Sequence, residues 1–125
     1  MNQKFNRIRQ ILVVLVLIAA VEGFSSCEKY SYLPRPVDPN TPWLYAADIQ
    51  PIFTANCISC HGGAQAPDLR EGKSYAALKK MRIITPPGET SELYGQLNSS
   101  SHASRTTSTE KQKILFWINQ GALNN

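Results

Sequence analysis

Residues 57–61 read Cys-Ile-Ser-Cys-His, a spacing with a specific chemistry. Two cysteines three positions apart lie on one helical turn, where each sulfur can bond one vinyl group of a porphyrin. The histidine beside the second cysteine then lies under the metal, so the pattern is that of c-type haem attachment. Cys57 and Cys60 are the expected thioether anchors and His61 the expected proximal ligand. Three other chemistries use related residues. A thioredoxin-like redox pair shares the spacing, but it needs a parallel sheet with a helix opening at the motif, and no strand-rich pattern surrounds it. A zinc site would have to add two ligands to Cys57 and Cys60, and the only histidines in the chain are His61 and His102. Adjacent Cys60 and His61 rarely reach one tetrahedral ion. A disulfide across two intervening residues closes a small, strained loop that contributes little stability.

The chain that must position this motif has 125 residues, enough for one domain. Its start reads as a targeting segment. Lys4, Arg7 and Arg9 form a cationic stretch, and residues 11–21 are an unbroken apolar run closed by Glu22. A membrane span needs roughly 18–20 apolar residues, so this shorter run reads as the core of a secretory signal. Phe24-Ser25-Ser26-Cys27 follows and resembles the lipobox of bacterial lipoproteins, in which the cysteine becomes the acylated first residue. Phe24 stands where a smaller aliphatic residue is common. The alternative is an ordinary signal peptide cleaved nearby, which leaves Cys27 a free thiol. A multiply acylated Cys27 would hold the chain firmly on a membrane surface. Export also suits the motif, because c-type haem is fastened outside the cytoplasm. The expected location is therefore the periplasm or cell surface, lipid-anchored to a membrane, with the outer membrane preferred.

The expected organisation is a lipoprotein signal over residues 1–26, a Pro-rich tether over 27–42 and a folded domain over 43–125. Without its signal the chain keeps 10 basic and 8 acidic residues, because Lys4, Arg7, Arg9 and Glu22 are removed. That near balance indicates no nucleic-acid or polyanion partner. Pro34, Pro36, Pro39 and Pro42 make the tether semi-extended. About 80 residues struggle to build a core alone, and a covalently held porphyrin would give their side chains an apolar plate to pack around.

The periodicity of the domain is helical and predicts an all-α fold of about four helices. Tyr45, Ile49, Ile52 and Phe53 share one face leading into the motif, with Pro51 in the first turn of a helix starting at Asp48. A second helix covers 74–81 with Ser74 as its cap. A turn at 85–88 precedes a third helix over 91–97. Residues 98–108 form a Ser/Thr-rich loop. Thr109 is the expected cap of a last helix that carries Ile114, Trp117 and Ile118 inward and ends at Gly121. No strand and no internal repeat is expected.

Taken together, these residues resemble the small monohaem cytochromes c of class I, in the form found as domains of Bacteroidetes-type lipoproteins. The resemblance covers about residues 46–125. It is carried by Asp48-Ile49-Gln50-Pro51-Ile52-Phe53 with Asn56-Cys57 and Cys60-His61-Gly62, more weakly by residues 85–94, and by Trp117-Ile118-Asn119-Gln120-Gly121-Ala122. It implies a bundle around one covalently bound haem c, with the first and last helices crossed beside the haem edge. It also implies that the carbonyl of Pro67 accepts a bond from the proximal imidazole, although a plain loop proline is the other reading. The family's axial methionine has no counterpart: residues 99–105 read Ser-Ser-Ser-His-Ala-Ser-Arg, with Ala103 where methionine is expected. His102 is the first candidate for the sixth position, Met81 the second, and no protein ligand the third.

The expected function is a membrane-tethered carrier of single electrons between redox protein partners. No acid, base or nucleophile constellation indicates an enzyme. The alternative is a haem-based ligand-binding or sensing module with an open sixth position.

Overall fold

The structure, a computed structural model, describes residues 2–22 and 36–125. Cys27 and most of the expected tether lie outside the described residues. Two units divide the chain, Met1–Leu33 and Pro34–Asn125.

The first unit contains helix α1, Asn2–Glu22. Phe5, Ile8 and Ile11 on it are exposed, as are Leu12, Val13 and Val14. No helix among the described residues is long and apolar enough to cross a membrane.

The second unit is helical, with no strand among its described residues. It contains α2 (Gln50–Asn56), α3 (Ile58–His61), α4 (Ser74–Lys80), α5 (Glu92–Leu97) and α6 (Ser108–Asn119). Five helices replace the expected four because the cysteine motif winds a turn of its own. Cys57, at φ −122°, breaks the path out of α2, and α3 starts afresh behind it.

Proline chemistry shapes the entry to α2. In a regular helix the ring of Pro51 would strike the carbonyl four residues back, at Ala47. The chain avoids this by winding Tyr45–Ile49 as a wider π-helix and placing Pro51 in the first turn of α2. The expected start at Asp48 therefore moves to Gln50. Asp48 instead reaches back, its Oδ2 accepting from the Leu44 N–H at 2.9 Å.

Two caps also differ from expectation. Ser74 does not cap α4, whose N-cap is Lys73. The Ser74 hydroxyl is drawn into the core, where the Tyr45 hydroxyl donates to it at 2.6 Å. Helix α6 is capped by Thr107 and not by Thr109. The Thr107 hydroxyl accepts from the Glu110 N–H while the Glu110 carboxylate accepts from the Thr107 N–H, a reciprocal box. Ser91 caps α5, accepting from the Tyr94 N–H at 3.3 Å.

The core is aromatic at its centre. Tyr45 meets Trp117 at 5.2 Å and Tyr75 at 5.1 Å between centroids, the latter edge-on. Trp117, Ile114 and Ile118 are fully buried, so the expected inward stripe of α6 is the observed one. The chain end closes over this cluster. Gly121, at φ +100°, turns the backbone out of α6. The Trp117 indole N–H then donates to the Leu123 carbonyl at 2.9 Å, and the Ala46 N–H to the Asn125 carbonyl at 3.0 Å. Residues 39–42, expected as tether, are tied down as well. Gln120 Nε2 donates to the carbonyls of Pro39 and Thr41 at 3.0 and 2.8 Å.

Gly88 opens a 3₁₀ turn, Gly88–Thr90, laid directly on α6. A Cβ at this position would lie 2.8 Å from both the carbonyl oxygen and a methyl of Leu115. Helix backbone cannot yield as a side-chain tip can. Gly88→Ala is expected to destabilise the fold by about 1–3 kcal/mol, read as a lower denaturation midpoint, and an unchanged midpoint would contradict this packing.

Candidate functional site

Helices α2, α3 and α5, with the segments after α3, α4 and α5, surround a cleft of about 460 Å³. Ligand sites typically fall between roughly 300 and 1,000 Å³. Phe53, Leu69, Ile83, Leu93 and Leu97 make its apolar wall, and all five also belong to the core. Cys57, Cys60, His61, Pro67, Met81 and His102 line the same cleft, so it brings together every site residue the sequence indicated apart from Cys27.

The motif turn is held from both sides. Cys60 and His61 donate their N–H groups to the Cys57 carbonyl at 3.1 and 2.9 Å. A Cβ on Gly62 would stand 2.7 Å from the Ile58 carbonyl, so only glycine lets the chain leave the turn here. The loop then doubles back, and the Leu69 N–H donates to the His61 carbonyl at 2.8 Å. This return sets Pro67 beside the imidazole: His61 Nδ1 lies 3.2 Å from the Pro67 carbonyl oxygen. A carbonyl only accepts, so the bond requires the proton on Nδ1 and leaves Nε2 with a free lone pair.

Gln50, which the sequence did not single out, holds this arrangement together. Buried at 6% exposure, it donates Nε2 to the Leu69 carbonyl at 3.1 Å. Its Oε1 accepts from the Tyr45 hydroxyl at 3.2 Å and from the Ser74 hydroxyl. One side chain thus joins the π-turn, α2, α4 and the segment behind Pro67. Its only signal in the sequence is a polar residue beside the apolar stripe of Ile49, Ile52 and Phe53. Burial of the Tyr45 ring pushes its hydroxyl pKa up, so it remains a neutral donor in this network.

Asn56 and Glu110 brace the other side. Asn56 Nδ2 donates to Glu110 Oε1 at 3.1 Å, joining the residue before Cys57 to the first turn of α6. Partial burial raises the Glu110 pKa, but the N–H and hydroxyl of Thr107 and the amide of Asn56 outweigh it and hold the carboxyl below its ordinary value. The Cys57 thiol is pushed up, first by burial and then by the charge of Glu110. A thiol kept protonated suits neither a reactive thiolate nor a thiolate metal ligand. Neither Cys57 nor Cys60 is in a disulfide.

His102 and His61 line the same cleft. The ring centroids are 6.2 Å apart, with planes inclined at 34°. Two imidazoles binding one metal ion from opposite sides, each about 2 Å from it, place their centroids about 6 Å apart. The Nδ1 of His102 is also engaged, by the hydroxyls of Ser101 and Ser99 at 2.9 and 3.2 Å. Both rings therefore keep Nε2 as the available nitrogen. Met81 lines the cleft with 44% of its surface exposed. The donor set and the apolar wall fit a flat metal macrocycle that brings its own equatorial nitrogens and takes one imidazole on each face.

Comparison with family models, with curated proteins and with solved structures gives no match.

Both braces can be tested by substitution. Gln50→Leu strips the Leu69 carbonyl and Ser74 of a buried partner and is expected to cost about 1–3 kcal/mol, with exchange of the Leu69 N–H accelerated. Unchanged exchange would remove Gln50 from the support of Pro67. For Glu110, a depressed folded pKa means a stabilisation fully present above its ordinary value of 4.5 and lost as pH falls through the folded value. Stability should therefore drop more steeply below pH 4.5 in the parent than in Glu110→Gln, and parallel acid limbs would refute the brace.

Proposed function

We propose that the chain is a membrane-tethered c-type cytochrome that carries single electrons between redox protein partners. One haem c would be attached through Cys57 and Cys60 and ligated by His61 and His102. The observation that carries this reading is the pair of imidazoles 6.2 Å apart in one apolar cleft, next to two cysteines on a single turn. The proposed fold is correspondingly a cytochrome c-like bundle, within the all-α architecture described above.

When bound, haem supplies a one-electron Fe(II)/Fe(III) couple whose potential responds to its axial ligands and to water access. The residues of the chain have separate tasks around it. Cys57 and Cys60 would hold the group through two thioether bonds, each formed by addition of the S–H across a vinyl group, with the thiol proton passing to the second vinyl carbon. His61 presents Nε2 because its Nδ1 proton is committed to Pro67. The wall from Phe53 to Leu97 keeps water from the apolar faces. His102, as a second imidazole in place of a thioether, would favour the oxidised state and lower the potential. Export, acylation of Cys27 and attachment to the outer membrane are part of the same proposal and rest on the sequence pattern at residues 4–27.

The test is the protein purified from a host that exports it and matures c-type cytochromes. The expected result is one haem that stays with the polypeptide after denaturation, a reduced haemochrome spectrum and low-spin ferric iron. Replacing both Cys57 and Cys60 by serine should abolish the covalent haem, and His102→Ala should convert the iron to high spin. A matured protein with no covalent haem would overturn the proposal.

A further inference from the structure

We propose that Ser99 and Ser101 form a hydroxyl relay that fixes which nitrogen of His102 faces the iron, and that this relay leaves His102 the replaceable ligand of the two. The inference rests on the haem reading above.

Proton counting sets the direction of the relay. His102 Nδ1 lies 2.9 Å from Ser101 Oγ and 3.2 Å from Ser99 Oγ, and the two hydroxyl oxygens are 3.2 Å apart. The Ser99 hydroxyl donates to the Gln96 carbonyl at 2.7 Å. Each hydroxyl has one proton and a carbonyl has none, so the proton of Ser99 is committed to Gln96. The contact between the serines is then a hydrogen bond only if Ser101 donates. With that proton also committed, the contacts to the imidazole are bonds only if Nδ1 donates. With Nδ1 protonated the cluster has three protons and makes three bonds, from Nδ1–H to Ser101, from Ser101 to Ser99 and from Ser99 to the backbone of α5, with the longer Nδ1–Ser99 contact sharing the first of them; a bare Nδ1 leaves two protons and two bonds. Nε2 is left with its lone pair, the form a metal requires.

The same logic holds at His61, with a different acceptor. There the Nδ1 proton goes straight to the Pro67 carbonyl, in a segment pinned by the Leu69–His61 backbone bond and by Gln50. His61 also sits one residue from a covalent anchor. The acceptors of His102 are two hydroxyls within residues 99–105, a stretch of turns without a helix. Ser101 in it is exposed, and water can replace a hydroxyl partner there. The two axial imidazoles are therefore unequal, and a small exogenous ligand should enter by displacing His102.

The haem-loaded, exported protein tests this by titration of its reduced form with carbon monoxide. In the Ser99→Ala/Ser101→Ala double variant, haem attachment and helix content should match the parent. Loss of such supporting partners typically weakens a metal–ligand bond about 10–100-fold, so carbon monoxide should half-displace the ligand at about 10-fold lower concentration or less. Ser101→Thr keeps the hydroxyl and should behave as the parent. A double variant that titrates like the parent would overturn the relay. If His102→Ala also titrates like the parent, His102 is not a ligand, and the relay falls while the haem stands. If the parent holds no covalent haem, the proposed function itself falls.

Discussion

A single proton, held on Nδ1 of His61 by the carbonyl of Pro67, decides what the cleft can do. With that proton in place, Nε2 is a lone-pair donor aimed away from the bond. If the proton moved to Nε2, the same histidine would present an N–H there in place of a lone pair. The carbonyl is therefore as much a part of the site as the imidazole, although it belongs to a proline with no side-chain chemistry of its own. Its position depends on the return of the loop from Gly62 to Leu69, which the His61–Leu69 backbone bond closes.

Much of the domain can be understood as support for that loop. Gln50 fastens its far end to α2 and to the Tyr45–Ser74 pair, so the aromatic core and the Pro67 carbonyl share one hydrogen-bond network. Asn56 and Glu110 tie the near end, just before Cys57, to α6. The C-terminal residues then lock the π-turn from outside, through Asn125 to Tyr45 and Ala46. Polar groups buried in this way are costly unless each is partnered, and here the partners come from four separate elements. That interdependence is what makes the position of one carbonyl reproducible.

How legible this was in the sequence differs from level to level. The apolar stripes of residues 45–53 and 114–118 identified the core faces, because helical periodicity is a local signal. The cysteine motif and His102 pointed to residues that the structure gathers in one cleft, because their chemistry is carried by residue type. Caps were less legible. Thr107 and Thr109 are both eligible as caps, and the pairing of Thr107 with Glu110 three residues later was the cue that separates them. Ser74 has the composition of a cap, but Tyr45 and Gln50, 29 and 24 residues away, claim its hydroxyl. Such long-range competition leaves no trace in a local pattern. The same holds for Gln50: one polar residue beside an apolar face gives no indication of which carbonyl it will meet.

The cleft and the core are not separate parts of this domain, and that bears on what a ligand there would do. Phe53, Leu69, Ile83, Leu93 and Leu97 each have one side in the core and another toward the cleft. A domain of this size buries only about 60% of its chain surface, so any apolar surface covered on the cleft side is a large share of what is available. A flat apolar group lying against all five residues would join α2, α5 and the segments after α3 and α4 without adding a residue. Ordinary association would lose translational and rotational freedom at every binding event. The proposed covalent link through Cys57 and Cys60 would incur that loss once, at maturation, and the group would then behave as part of the core. Under the proposed function the two cysteines would contribute first to stability, and the imidazoles, with their unequal acceptors, to chemistry.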